Sequence, residues 1–165
     1  MTRKKFRIVP LEAGLDRSTF FSGSEPLDRY FREQVRQDIR RKVTACFTAL
    51  STGGSIAGYY TLASASILLG ELPPETIRRL PRYPSVPAVR MGRLAVDREF
   101  QGIGLGGALL ADALGRVIQS EIAAFAMIVD AKDDKAGAFY RHHGFIETTN
   151  EFPTLFLPLA AVNRK

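Results

Sequence analysis

A chain of 165 residues has room for one ordinary domain, and 45% hydrophobic with 24% charged residues excludes a disordered or low-complexity protein. A single cysteine excludes a disulfide framework, and no apolar run approaches the roughly 20 residues that a membrane-spanning helix needs. Lysine and arginine outnumber aspartate and glutamate by 23 to 17, a net charge of +6 that favours anionic partners without specifying a fold.

The basic start, Arg3, Lys4 and Lys5, leads into Phe6-Arg7-Ile8-Val9-Pro10 rather than into an apolar signal core, so the expectation is a cytoplasmic protein. Residues 6–11 read as a first strand. Ser22 or Ser24 caps a helix from about Glu25, with Pro26 tolerated in its first turn. Leu27, Tyr30, Phe31, Val35 and Ile39 recur at helical spacing and face inward, while Arg29, Arg32, Arg36 and Arg40 share the opposite face. Val43–Leu50 and Ser55–Ser66, joined by Ser51-Thr52-Gly53-Gly54, predict a β-hairpin, with Cys46 as a small core residue. Five of the nine prolines follow, at 73, 74, 81, 84 and 87, in an ordered excursion with a short helix opened by Pro74. Then come a strand at Ala88–Val96, a glycine-rich turn, a helix at Leu105–Gln119, a strand at Ala123–Asp130 and a helix at Lys135–His143. Phe145–Glu147 and Leu155–Leu159 close the sheet. Hairpins first and a β-α-β-α-β stretch second predict an α+β domain with a mixed sheet, spanning residues 1–165 as one unit.

The most informative stretch runs Arg93-Leu94-Ala95-Val96 into Gln101-Gly102-Ile103-Gly104-Leu105-Gly106-Gly107. Glycine costs a helix about 1 kcal/mol relative to alanine, so four glycines in six positions need a reason. Glycines expose backbone N–H groups and a helix N-terminus adds partial positive charge, which together suit phosphate or pyrophosphate. Gly102, Gly104 and Gly107 also fit the dinucleotide fingerprint, with Asp130 placed as a ribose-binding acid. That fold needs two βαβαβ halves, whereas only 35 residues follow Asp130 and hairpins precede the turn.

Gln101-Gly102-Ile103-Gly104-Leu105-Gly106 resembles the pyrophosphate loop of Gcn5-related N-acetyltransferases. Gly92-Arg93-Leu94-Ala95-Val96 is similar to that family's bulged strand, whose backbone pairs with the pantetheine arm. Ala138-Phe139-Tyr140, followed by Gly144-Phe145, resembles its second signature, a helix beside the cofactor thiol. The resemblance implies a mostly antiparallel mixed sheet splayed into a V and flanked by helices. It implies acetyl-coenzyme A bound through Leu94, Ala95, Val96, Gln101, Gly102, Ile103, Gly104, Leu105, Gly106, Gly107, Phe139 and Tyr140, with Tyr140 as the acid that protonates the departing thiolate. Ser24–Tyr30, Gln37-Asp38, Gly58-Tyr59-Tyr60-Thr61-Leu62 and Leu80-Pro81-Arg82-Tyr83-Pro84 resemble a bacterial subgroup of toxins. Those enzymes acetylate aminoacyl-tRNA, are held by a ribbon-helix-helix antitoxin and form homodimers.

Asp97 and Glu99 read as solvent-exposed loop carboxylates, and no general base stands out. An α-amino group, with a pKa of about 7.7–8, already has a useful neutral fraction at pH 7 without one, whereas lysine at about 10.4 does not. For an RNA acceptor, Arg29, Arg32, Arg36, Arg40, Arg78, Arg79, Arg82, Arg90 and Arg93 are the phosphate-contacting candidates, with Tyr83 as the best-placed aromatic. His142 and His143 are adjacent and lack clustered partners, so no metal is expected. The alternatives are an acetyltransferase for a small amine or protein N-terminus, and a non-catalytic module that holds coenzyme A or nucleic acid.

Overall fold

The computed structural model describes residues 5–149 and 153–162, so Arg3 and Lys4 of the basic start lie outside the described residues. Seven strands are ordered β1-β2-β3-β4-β5-β7-β6. They are β1 (Phe6–Pro10), β2 (Ala45–Ser51), β3 (Ile56–Leu68), β4 (Ser85–Val96), β5 (Ala126–Asp130), β6 (Ile146–Glu147) and β7 (Thr154–Pro158). The helices are α1 (Glu25–Arg29), α2 (Val35–Arg40), α3 (Pro74–Ile77), α4 (Leu105–Gln119) and α5 (Asp134–His142). β4 and β5 run parallel, whereas β1–β2, β2–β3, β5–β7 and β6–β7 are antiparallel. The α+β class and mixed sheet expected from the order of elements are therefore present. Each chain segment belongs to one of two compact units: residues up to Ala63 with Gly92–Gly115, and Ser64–Met91 with residues from Arg116 onward.

The first unit is organised by aromatic side chains. Phe31 is fully buried, stacks on Tyr59 at 4.3 Å and meets the edge of Phe20 at 4.9 Å. Leu11, Val35, Cys46 and Ala95 complete this core. Burial pushes the Cys46 thiol up to about 12, which leaves it an unreactive core residue. The expected single α-helix over residues 25–40 is interrupted. Tyr30–Gln34 is a π-helical turn, closed by the Val35 N–H donating to the Tyr30 carbonyl. Tyr30 and Phe31 within it are both buried, as their spacing predicts. It also breaks the regular phase expected for Arg29, Arg32, Arg36 and Arg40. Ser24 sits at the N-cap of α1 but makes no side-chain cap bond. The fully buried Asp28 instead accepts from the Ser22 N–H at 3.0 Å and from its hydroxyl at 2.6 Å.

α4 follows from its spacing. Leu105, Leu109, Ala113 and Val117, four residues apart, are all buried, with Leu110 beside them. In the second unit, β5 is buried from Ala126 to Val129 because β4 and β7 flank it on both sides. Its core joins Ile67, Leu72, Val86, Ala88, Ala126, Ile128 and Phe156. The proline-rich excursion is closed at its neck by Leu69 N–H donating to the Pro84 carbonyl at 3.0 Å. It is anchored by buried Leu72, with Ile77 and Leu80 packed against the core.

Phe31→Ala is expected to lower unfolding stability by about 3–5 kcal/mol, because it removes a fully enclosed ring that its neighbours cannot replace. Urea denaturation measures this; a loss below about 1 kcal/mol would show that the cluster is not the keystone of the first unit.

Candidate active site

The glycine turn lies wholly in the first unit. β4 ends at Val96, Asp97 caps a 3-10 turn at Arg98–Phe100, and α4 begins at Leu105. Asp97 is half-buried and structural rather than a solvated loop carboxylate: it accepts from the N–H groups of Glu99 and Phe21, each at 3.0 Å. Arg98 N–H donates to the Phe21 carbonyl at 2.8 Å. Gln101 donates its side-chain N–H to the carbonyls of Ser22 (2.8 Å) and Val96 (2.9 Å). Its amide thus braces the turn from within. The signal in the sequence was an aspartate two residues before an available N–H, an ordinary cap.

Gly102 (φ +80°) and Gly104 (φ +86°) occupy the left-handed region that side chains resist, and a Cβ built at either meets nothing within 4 Å. The turn is therefore shaped by conformation, not by crowding, and leaves open space beside the backbone. The N–H groups of Leu105, Gly106 and Gly107 fall in the first turn of α4, where a helix has no internal acceptor for them. Fifteen residues of helix place their positive dipole end at the same point. This set of donors fits a pyrophosphate. Ile103 is half exposed on the turn. Ala95 is buried, while Leu94 and Val96 are half-buried. Separately, a cavity of about 460 Å³ is lined by Leu15, Phe20, Phe21, Ile56, Asp97 and Arg98 among others, and none of residues 102–107 lines it.

Tyr140 belongs to the second unit, on α5. The helix starts one residue earlier than its periodicity predicts, because Asp133 caps it by accepting from the Ala136 N–H at 2.8 Å. It ends in a double cap: Gly144 N–H donates to the Arg141 carbonyl at 3.0 Å and Phe145 N–H to the Tyr140 carbonyl at 3.1 Å. Gly144 has φ +94°, which that cap requires. The Phe145 ring lies 5.4 Å from that of Tyr140, and the Phe139 ring 5.3 Å from it. The spacing Phe139-Tyr140-x-x-x-Gly144-Phe145 is thus a device that stops the helix and packs one tyrosine against two phenylalanines. Burial first, and then the negative charge of Asp130, push the Tyr140 hydroxyl up to about 12. It holds its proton throughout the neutral range. Burial, then the neighbouring His142, keep His143 below the usual histidine value. Among the described residues no group of three or more His, Cys, Asp or Glu side chains could hold a metal ion.

The arginines divide. Arg93 lies half-buried with its guanidinium 3.4 Å from the centre of the Tyr30 ring, and the Tyr30 hydroxyl donates to Asp38 at 2.7 Å. Arg90 is ion-paired with Asp130, which also accepts from the Thr154 hydroxyl at 2.8 Å. Arg32 donates to the Phe20 carbonyl at 3.1 Å, and Arg36 is half-buried. These four are held within the protein more than the sequence suggested. Arg29, 3.5 Å from Glu25, and Arg40 are exposed in the first unit; Arg78, Arg79 and Arg82 are exposed in the second, beside Tyr83 at 63% exposure.

Residues 24–158 match the family described as the acetyltransferase (GNAT) domain. The chain is 39% identical over 132 residues to a tRNA-acetylating toxin of Mycobacterium tuberculosis, covering 79% of this chain and 78% of that one. It resembles the structure of AtaT complexed with acetyl-methionyl-tRNAfMet, at 29% identity and a TM-score of 0.87 over 95% of this chain and 96% of the other. It also resembles an AtaT variant bound to acetyl-CoA and the C-terminus of the antitoxin AtaR. That match is 26% identical, with a TM-score of 0.79, over 95% of each chain.

Proposed function

The chain belongs to the GNAT family of acetyl-coenzyme A-dependent acetyltransferases, and on that premise we propose that it acetylates the α-amino group of aminoacyl-tRNA and so blocks translation. The observation that carries the acceptor is the likeness, over 79% of the chain, to a toxin that acetylates tRNA. The exposed arginines at 78, 79 and 82, on a loop pinned at its neck, support it because a polyanion is bound chiefly through its phosphates. We read the two units as parts of one catalytic domain, since the family match runs through both.

When bound, acetyl-coenzyme A supplies a thioester carbonyl with a thiolate leaving group. In this proposal the N–H groups of Gly102–Gly107 hold the pyrophosphate, Leu94, Ala95 and Val96 offer backbone to the pantetheine arm, and Phe139 helps shape the thiol end. The amine nitrogen forms the new bond to the carbonyl carbon, the carbon–sulfur bond breaks, and the amine loses a proton as the sulfur gains one. Tyr140 Oη is the proton source, suited to it because burial keeps the hydroxyl protonated at working pH. No protein base is required for an α-amine whose pKa lies at about 7.7–8. An antitoxin of the ribbon-helix-helix kind and a homodimer are further parts of this reading, supported by the antitoxin-bound relative in the first case. Charged tRNA places the reaction in the cytoplasm. No described helix is long and apolar enough to cross a membrane.

Purified protein incubated with charged tRNA and acetyl-coenzyme A is expected to yield an N-acetylated aminoacyl group by mass analysis of the released amino acid. Acetylation of small amines alone would contradict the tRNA acceptor. Removing three phosphate contacts with Arg78→Ala, Arg79→Ala and Arg82→Ala together should raise KM for tRNA and flatten the slope of log affinity against log salt by about 2–3; an unchanged slope would place the RNA elsewhere. Tyr140→Phe should lower kcat by at least about a hundredfold with little change in acetyl-coenzyme A affinity. In the wild type, kcat/KM should rise as the acceptor ammonium deprotonates and show no falling limb below about pH 10. The raised Tyr140 value keeps the acid form present there, so a fall near neutrality would contradict the assignment.

A further inference from the structure

The Gly58-Tyr59-Tyr60 run on β3 is not used by the chemistry above, yet Gly58 and the Tyr60 hydroxyl both meet the elements that flank the glycine turn. Gly58 is buried. A Cβ at this position would stand 2.9 Å from the Ala95 carbonyl oxygen on β4, 2.9 Å from Leu109 Cδ1 and 3.6 Å from Leu105 Cδ2 on α4. Contacts below 3.0 Å do not occur between real atoms of this kind, so one neighbour has to move. Leu109 is fully enclosed and Leu105 is 3% exposed, so neither side chain has free space to swing into. The carbonyl is backbone and moves only with its strand.

The residues on either side clamp the same two elements. The register of β2 against β3 slips between Ala49 and Leu50, which face Gly58 and Ile56, so Ala57 is an extra residue in the pairing. Its carbonyl accepts from the Asp97 N–H at 2.8 Å. Tyr60 donates its hydroxyl to Asp112 of α4 at 2.6 Å. β3 therefore grips the end of β4 at position 57 and the body of α4 at position 60. Between the two grips stands the one residue whose missing side chain lets Ala95 and the first two turns of α4 close in.

We infer that Gly58 is a positioning residue for coenzyme A. The absence of its side chain sets the distance from β3 to Ala95 and to Leu105 and Leu109, and so aligns the β4 backbone with the N–H groups at the start of α4. This rests on the reading of those groups as the cofactor site. Any side chain at 58 would shift one half of that pair against the other, while the acceptor-side arginines at 78, 79 and 82 would be untouched.

The test is calorimetric titration of coenzyme A into the wild type, Gly58→Ala and Gly58→Ala/Gly115→Ala. Gly115 is interior to α4 with nothing within 4 Å of a Cβ, so alanine there strengthens the helix and offsets lost stability without entering the site. The expected result is a Kd for coenzyme A at least about tenfold higher in both variants, in folded protein, with KM for charged tRNA unchanged at saturating cofactor. A purely structural role would lower the melting temperature and the bound fraction but leave the Kd of the folded fraction at its wild-type value, and that outcome overturns the inference. If neither variant folds, Gly58→Ala/Leu109→Ala removes the side-chain obstruction and leaves the Ala95 carbonyl: weakened binding supports the inference and wild-type binding overturns it. Failure of the wild type itself to bind coenzyme A would overturn the cofactor reading instead.

Discussion

The arrangement depends on backbone N–H groups that have no acceptor within their own helix. At the start of α4 the N–H groups of Leu105, Gly106 and Gly107 fall in the helix's first turn, and a turn built on the positive φ angles of Gly102 and Gly104 leads into them. Charge-assisted bonds to such groups are roughly twice as strong as neutral ones, and the helix dipole favours an anion at the same point by up to about 2 kcal/mol. The price of this geometry is helix propensity lost at Gly106 and Gly107. Other features of the first unit hold the turn still. Asp97 caps it, Gln101 ties it to Val96 and Ser22, and Ala57 and Gly58 fix its two flanking elements.

Tyr140 illustrates a different economy. A tyrosine on a short helix is an ordinary aromatic until something fixes its ring and its proton. Here the cap at Gly144 ends the helix one turn later and turns Phe145 back against Tyr140, so the second signature is a packing motif before it is a chemical one. Burial then raises the hydroxyl toward 12, which makes the group a reservoir for a proton rather than a base. In the proposed reaction the acceptor is an α-amine, which asks for an acid more than for a base and leaves the carboxylates near the turn free to be structural.

Much of this was legible in the sequence, and for stated reasons. α4 spans Leu105–Gln119 as its four-residue apolar spacing requires, and the turn before it is announced by glycines that a helix would not otherwise carry. What was hidden depends on partners distant in the chain. Asp97 read as a solvent-exposed loop carboxylate and nothing marked Asp28 as buried, because nothing local shows that Phe21 and Ser22 will bring N–H groups to them. The π-helical turn at Tyr30–Gln34 is invisible to a wheel drawn at 3.6 residues per turn. Arg90 and Arg93 counted as free cations until Asp130 and the Tyr30 ring were seen beside them. The surface arginines at 78, 79 and 82 needed no such knowledge, since prolines and turns keep their loop outside the sheet.

The central claim is that backbone N–H groups of one glycine turn hold the cofactor. The most direct measurement is a titration of coenzyme A into isotope-labelled protein, followed through the amide resonances of Gly104, Leu105, Gly106 and Gly107. These amide protons are expected to move downfield together and saturate with the binding curve, as donors to phosphate oxygen do. Binding of coenzyme A with those four amides unmoved, and shifts confined to other parts of the chain, would contradict it.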